Sequence, residues 1–141
     1  MVNRNLQVML GGIRLSNPII PASGTFGFGT ELADSFDLNV LGGISLKGTT
    51  GKERFGNPTP RIAECTGGMI NSVGLQNPGI DALVKEKVPA LRKVYSGTVI
   101  ANISGFSLDE YGECCAKADA CTGIDVIEVN ISCPNVHNGG M

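Results

Sequence analysis

Short apolar runs alternate along the chain with stretches rich in glycine and proline. Leu6-Gln-Val-Met-Leu10 and Ile13-Arg-Leu15 flank Gly11-Gly12 and predict a small hairpin, because both turn positions can take positive φ. Asn17-Pro-Ile-Ile-Pro-Ala22 predicts a short apolar strand with prolines at its ends. Val40–Leu46, Thr98–Ile103 and Val126–Ile131 predict three more strands. Between the second and third strands, residues 48–79 show no period and predict a long loop region, which inside a compact domain is usually functional. Ile80, Leu83, Val84, Val88 and Leu91 then recur at helical spacing, with Pro89 expected to kink or divide the helix. Ser107-Leu-Asp-Glu110 has the form of a capping box and predicts a helix running to about Cys121, ended by Gly123.

Strand and helix alternation implies parallel pairing and an α/β class. Three of the predicted strands end in polar residues: Lys47, Asn102 and Asn130. Equivalent strand ends converge on one edge of such a sheet, and that edge is where α/β proteins place their chemistry. Lys47 and Asn102 also admit plainer readings, a solvated strand end and the start of a turn.

Charge and composition narrow the classes. The 141 residues suffice for one domain with a real core, and a net charge of −2 with a sequence pI near 5.3 leaves no broad basic footprint for nucleic acid or anionic membrane. No apolar run approaches the roughly 18 residues that span a bilayer. The five cysteines (Cys65, Cys114, Cys115, Cys121, Cys133) form no Cys-x-x-Cys pair and His137 is the single histidine, so no metal site is expected. The odd cysteine count points to a reducing, cytoplasmic setting. Ser23-Gly-Thr-Phe-Gly-Phe-Gly29 has the spacing G-x-x-G-x-G, not the dinucleotide order G-x-G-x-x-G.

The segment Asn130-Ile-Ser-Cys-Pro-Asn135 carries the most chemistry. A thiol at a strand end can act as base or nucleophile, and carboxamides can bind a polar ring through donor and acceptor. The alternative is a buried structural cysteine beside a turn. Cys114 and Cys115 read as helix packing, and His137 as exposed loop.

Pro21-Ala-Ser-Gly-Thr25, Lys47-Gly-Thr-Thr50, Gly56-Asn-Pro-Thr-Pro-Arg61, Asn71-Ser-Val-Gly-Leu-Gln-Asn-Pro-Gly79, Ala101-Asn102 and Asn130–Asn135 occur in an order that resembles class 1 dihydroorotate dehydrogenases, most like subclass 1B. The resemblance implies an α/β fold, a (β/α)8 TIM barrel of which residues 1–141 are the N-terminal half: an N-terminal hairpin and about four β/α units, ending after strand four. Such a barrel takes about 250 residues. It implies FMN as cofactor, with Ser23, Lys47, Gly48, Asn102 and Asn130 binding it. Lys47, Asn71, Ser72, Val73, Gly74, Leu75, Asn130 and Asn135 would bind dihydroorotate or orotate, and Cys133 would be the catalytic base that takes the C5 proton. It also implies a partner subunit carrying FAD and a 2Fe-2S cluster that passes electrons to NAD, in a homodimer or heterotetramer. Two alternatives stay open: a dihydropyrimidine dehydrogenase-like flavin domain, and an inactive half barrel acting as a binding module.

Overall fold

The structure is a computed structural model that describes residues 6–131. It begins with the expected hairpin. Strands β1 (Val8–Leu10) and β2 (Ile13–Leu15) pair antiparallel, and Gly11 and Gly12 take φ of 53° and 87° at the turn. Only glycine holds both positions without strain.

The centre is a three-stranded parallel sheet. Its strands are β3 (Gly43–Ser45), β6 (Thr98–Ile103) and β7 (Val126–Val129), in the order β3-β6-β7. The register pairs Ile44 with Val99 and Asn102 with Glu128. All six β6 residues are buried, as befits a strand covered on both sides.

Residues 17–22 do not join this ladder, contrary to the expected first strand. The segment runs beside β3 and is held by Gly42 N donating to Ile19 O (2.9 Å) and Asn17 Nδ2 donating to Val40 O (2.9 Å). Pro18 and Pro21 lack backbone donors, so the segment cannot build a continuous ladder.

The 48–79 stretch also departs from a plain loop. It contains an antiparallel hairpin of β4 (Ile62–Cys65) and β5 (Gly68–Asn71), every residue of which is exposed. With no buried face, the hairpin carries no hydrophobic alternation that a pattern search could detect.

The next helical run is continuous from residue 80 to 92 but changes pitch. Helix α1 (Ile80–Ala82) leads into a π-helical turn (Leu83–Lys87) and then α2 (Val88–Arg92). Pro89 explains the widening. Its ring would meet the carbonyl of Lys85 in a regular α-helix and it has no N–H to donate, so the wide turn before it relieves both problems. The expected kink is thus a π turn, and the helix is not divided.

Helix α3 (Leu108–Asp119) starts where its capping pattern placed it. Ser107 Oγ accepts from Glu110 N at 3.1 Å. The Glu110 carboxylate does not return to Ser107. It accepts instead from Phe106 N (2.8 Å) and Gly51 N (2.9 Å), tying the loop after β3 to the helix start.

The apolar core lies on one side of the sheet. Ile44, Leu46, Val99, Ala101 and Ile103 pack against Ile80, Leu83, Val88, Leu91, Tyr95, Tyr111, Cys114 and Ala118 from the helices. Arg92 pins α2 to the sheet: it donates to Gly97 O (2.6 Å), Gly123 O (3.0 Å) and the Asp125 carboxylate (2.5 Å), which also accepts from Val99 N (2.8 Å).

Candidate functional site

Side chains alternate across a strand, so the residues between the core positions face the other way. On β3 and its extension these are Ser45 and Lys47; on β6, Ile100, Asn102 and then Ser104; on β7, Val126, Glu128 and then Asn130. Their polar members gather toward the C-terminal edge of the sheet.

Asn102 is the centre of this group and is 1% exposed. Its Nδ2 donates to Ser23 Oγ at 3.3 Å, and its Oδ1 accepts from Asn130 Nδ2 at 3.3 Å. Ser23, Asn102 and Asn130, distant in sequence, therefore meet. The backbone carbonyl of Asn130 accepts from the Tyr111 hydroxyl at 2.5 Å, which anchors the end of β7 to α3.

Lys47 follows β3 and is half-buried. Its backbone N donates to Gly27 O at 2.9 Å, fixing it against the glycine-rich loop. A Cβ at Gly24 would stand 3.7 Å from the Lys47 ammonium. Among the described residues no carboxylate pairs with it; the ion pairs there are Arg92–Asp125 and Lys117–Asp81. A half-buried ammonium without a counter-charge is poised for an anionic ligand.

Gly48 is the closest approach at the edge. A Cβ there would lie 2.9 Å from Asn102 Oδ1, 3.0 Å from Leu75 Cδ1 and 3.3 Å from Ser104 Oγ. Any side chain at 48 would displace the Asn102 carboxamide. Thr49 and Thr50 are buried and structural. Thr49 N donates to Asn102 O (2.9 Å) and Ser104 N to Thr49 O (2.8 Å), which extends the strand pairing past β6. Thr50 bonds Asn77 through its amide and hydroxyl.

The predicted 71–75 segment is only partly at this edge. Leu75 reaches Gly48, whereas Asn71 is exposed at the end of β5. The Ser72 hydroxyl and carbonyl both accept from Asn57 Nδ2, at 3.1 and 2.9 Å. Val73 O accepts from Asn57 N at 2.9 Å. Gly74 packs so tightly that a Cβ would meet Asn57 Cγ at 2.6 Å. Leu75 is held at φ 58°, a left-handed conformation rare for a leucine. Strain of this kind collects at ligand sites. Asn77 holds the segment in place: its Oδ1 accepts from Thr50 N (3.1 Å) and Gly79 N (2.9 Å), and its Nδ2 donates to Leu75 O (2.8 Å). Ser132, Cys133 and Asn135 lie outside the described residues.

Sequence reasoning did not single out Ser104, Ser45 or Glu128. The Ser104 hydroxyl is buried with no hydrogen-bond partner. Ser45 Oγ donates to Glu128 Oε2 at 2.6 Å, just below the asparagines. Counting two residues on from Asn102, and two back from Lys47 and from Asn130, would have found them. Among the described residues no His, Cys, Asp and Glu cluster could hold a metal ion, and no helix is long and apolar enough to cross a membrane. Cys65, Cys114, Cys115 and Cys121 are free thiols. Burial pushes the Cys114 thiol up to about 11, so it stays protonated and inert.

The edge suits a flat, polar, negatively charged ring system. Among the described residues it offers carboxamide donors and acceptors, an ammonium without an ion pair, a hydroxyl without a partner and two glycines that allow close approach.

Comparison with known proteins gives the same direction. The family model for dihydroorotate dehydrogenase matches residues 5–141. The chain is 51% identical over 137 residues to the dihydroorotate dehydrogenase B (NAD(+)) catalytic subunit of Oceanobacillus iheyensis, covering 97% of this chain and 45% of that one. It is 50% identical over 141 residues to the same-named subunit of Enterococcus faecalis, covering 100% of this chain and 45% of that one. The chain thus spans about half the length of the curated relatives it matches. Among solved structures, a dihydroorotate dehydrogenase from Eimeria tenella in complex with ferulenol superposes with a TM-score of 0.68 at 21% identity, over 94% of this chain and 38% of that one. That likeness is one of fold, and the expected partial (β/α)8 barrel is borne out.

Proposed function

The chain belongs to the dihydroorotate dehydrogenase family, and we propose that it forms the N-terminal, FMN-binding part of a subunit that oxidises dihydroorotate to orotate in pyrimidine (UMP) biosynthesis. One observation carries this reading above the rest. The ammonium of Lys47, without an ion pair among the described residues, shares a sheet edge with the Ser23–Asn102–Asn130 hydrogen-bond chain.

FMN, when bound, supplies the hydride acceptor for the substrate C6 hydrogen. Asn102 and Asn130 hold its polar ring edge through their carboxamides, and Ser23 fixes the Asn102 orientation. Gly48 keeps that edge clear of side-chain bulk. Lys47 places its charge against both the flavin and the substrate carboxylate, where a fixed cation lowers the barrier. Leu75, with the Asn71–Gly74 stretch before it, lines the substrate side, and Asn135 adds a further contact. Cys133 Sγ accepts the C5 proton as general base.

The name shared by the relatives, catalytic subunit of an NAD(+) enzyme, supports a separate electron-transfer partner. We assign that partner FAD and a 2Fe-2S cluster, and the assembly to the cytoplasm as a homodimer or heterotetramer. The test is a chimera in which residues 1–141 replace the matching part of the Enterococcus faecalis subunit. It should purify yellow and bleach anaerobically with dihydroorotate, but not with dihydrouracil or dihydrothymine. A colourless chimera that FMN cannot reconstitute, while the Enterococcus parent remains yellow, overturns the reading.

A further inference from the structure

A cavity of about 400 Å³ opens beside the proposed substrate segment. Phe28 and Val73 form part of its wall, and its charged lining is Lys47, Arg54, Lys87 and Glu53. Three cations and one carboxylate line it, and Arg54 also borders a neighbouring cavity with Phe106, Asp81, Glu110 and Glu113. None of the three cations has an ion pair among the described residues. The Lys87 ammonium stands 5.7 Å from the centre of the Phe28 ring, and the Arg54 guanidinium 4.4 Å from that of Phe106. Rings steer these groups without neutralising them. Arg54 Nε is moreover buried with no hydrogen-bond partner, one of two such side-chain atoms among the described residues.

A structural role leaves this arrangement unexplained. Like charges around one concavity repel, and a fold gains nothing by gathering three of them there beside a single acid. Lys47 gives the cavity its meaning, because it belongs both to this lining and to the proposed flavin edge. An anion held in the cavity already touches the residue that will bind it during the reaction.

We infer that this cavity is a vestibule for the substrate carboxylate, in which Lys87 and Arg54 capture the anion and deliver it to Lys47. The inference rests on the proposed function for the identity of the anion. Capture is electrostatic and so governs the encounter rate; the chemical step belongs to the flavin edge. Lys87 is therefore a positioning residue for encounter and stands outside the catalytic machinery. Field focusing of this kind raises encounter rates at low ionic strength and fades as salt screens it.

Two readouts on the chimera test this. The first is stopped-flow flavin bleaching by dihydroorotate at low and high salt. Lys87→Gln should lower the second-order rate at low salt by about three- to tenfold, leave the limiting rate at saturating substrate unchanged, and converge on the parent at high salt. Lys87→Arg should behave as the parent. The second is NMR of the chimera with 13C-methylated lysines, the Lys87 signal being identified by its loss in Lys87→Arg. That signal should move on titration with orotate and much less with equal inorganic phosphate. An unchanged second-order rate, a loss that persists at high salt, a static Lys87 signal, or an equal response to phosphate each overturns the vestibule. A Lys87 signal that moves with orotate in a chimera that does not oxidise dihydroorotate supports the vestibule and refutes the proposed function alone.

Discussion

On the helix side of the parallel sheet, Ile44, Val99 and Ile103 are fully buried in the apolar core. On the other side, the same strands present Ser45, Lys47, Asn102, Ser104, Glu128 and Asn130. The two faces differ by one residue of register. The apolar face contributes area removed from water, which holds the fold whatever ligand is present. The polar face contributes little of that and instead leaves, among the described residues, an ammonium without a counter-ion and a hydroxyl without a partner. Unmet groups of this kind weaken a fold and equip a site.

Substitutions on the two faces should therefore fail in different ways. The largest effect belongs to the core: Ile103→Ala removes a fully buried side chain between sheet and helices and should lower stability by about 2–5 kcal/mol. Urea denaturation of the chimera reads it, and any chimera that folds should keep its flavin-reduction rate. A stable Ile103→Ala protein with slow reduction would erase the distinction between the faces.

Next comes Cys133→Ser, which keeps the size and removes a titratable base. Bleaching by dihydroorotate should slow by at least about 10²-fold, and the parental rise in rate up to a pH near about 8.5 should disappear. Orotate binding should remain, because the ring is held by carboxamides. A Ser variant that keeps the parental rate and pH profile removes Cys133 from the reaction.

Asn102→Ala strips the centre of the Ser23–Asn102–Asn130 chain. A lost partner in a buried network costs about 1–3 kcal/mol, and here that should appear as roughly a ten- to hundredfold weaker FMN dissociation constant. Flavin fluorescence on serial dilution measures it. Retention equal to the parent would move the cofactor elsewhere.

The smallest effect contrasts the two cysteines. Cys114 sits in the apolar core with its thiol pushed up to about 11 from 9.0. Its folded pKa is raised, so its contribution to stability is intact below about 9 and is lost as pH climbs through about 11. Chemical denaturation from pH 8.5 to 11 should show that decline, and Cys114→Ala should flatten it. An identical decline in both proteins would assign it to other groups.

How much of this was legible in the chain depends on what each residue had to satisfy. The Gly11-Gly12 turn, β6 and the Ser107 cap were legible because their signals are local. The convergence of Lys47, Asn102 and Asn130 followed from strand ends sharing an edge. The β4–β5 hairpin was not legible, because its residues are exposed on both faces and leave no alternation. The segment 17–22 read as a strand from its apolar residues, yet Pro18 and Pro21 withdrew the donors it needed. Nothing local in the sequence marks Asn77 as a hub, yet its carboxamide holds Thr50, Leu75 and Gly79 together across the loop. Long-range hubs have no sequence period, so only the fold reveals them. The left-handed Leu75 was hidden for the same reason.

The account stands most directly on Lys47. In the chimera, single-turnover flavin reduction and urea stability should be measured together for the parent and for Lys47→Ala. Removing a fixed charge from the reacting groups should raise the barrier by about 2–4 kcal/mol, slowing reduction by roughly 30- to 1000-fold. Stability should change by no more than about 0.5 kcal/mol, because the ammonium has no ion-pair partner among the described residues to lose. Reduction at the parental rate, or a loss of stability in place of rate, would contradict the assignment of the polar face to chemistry.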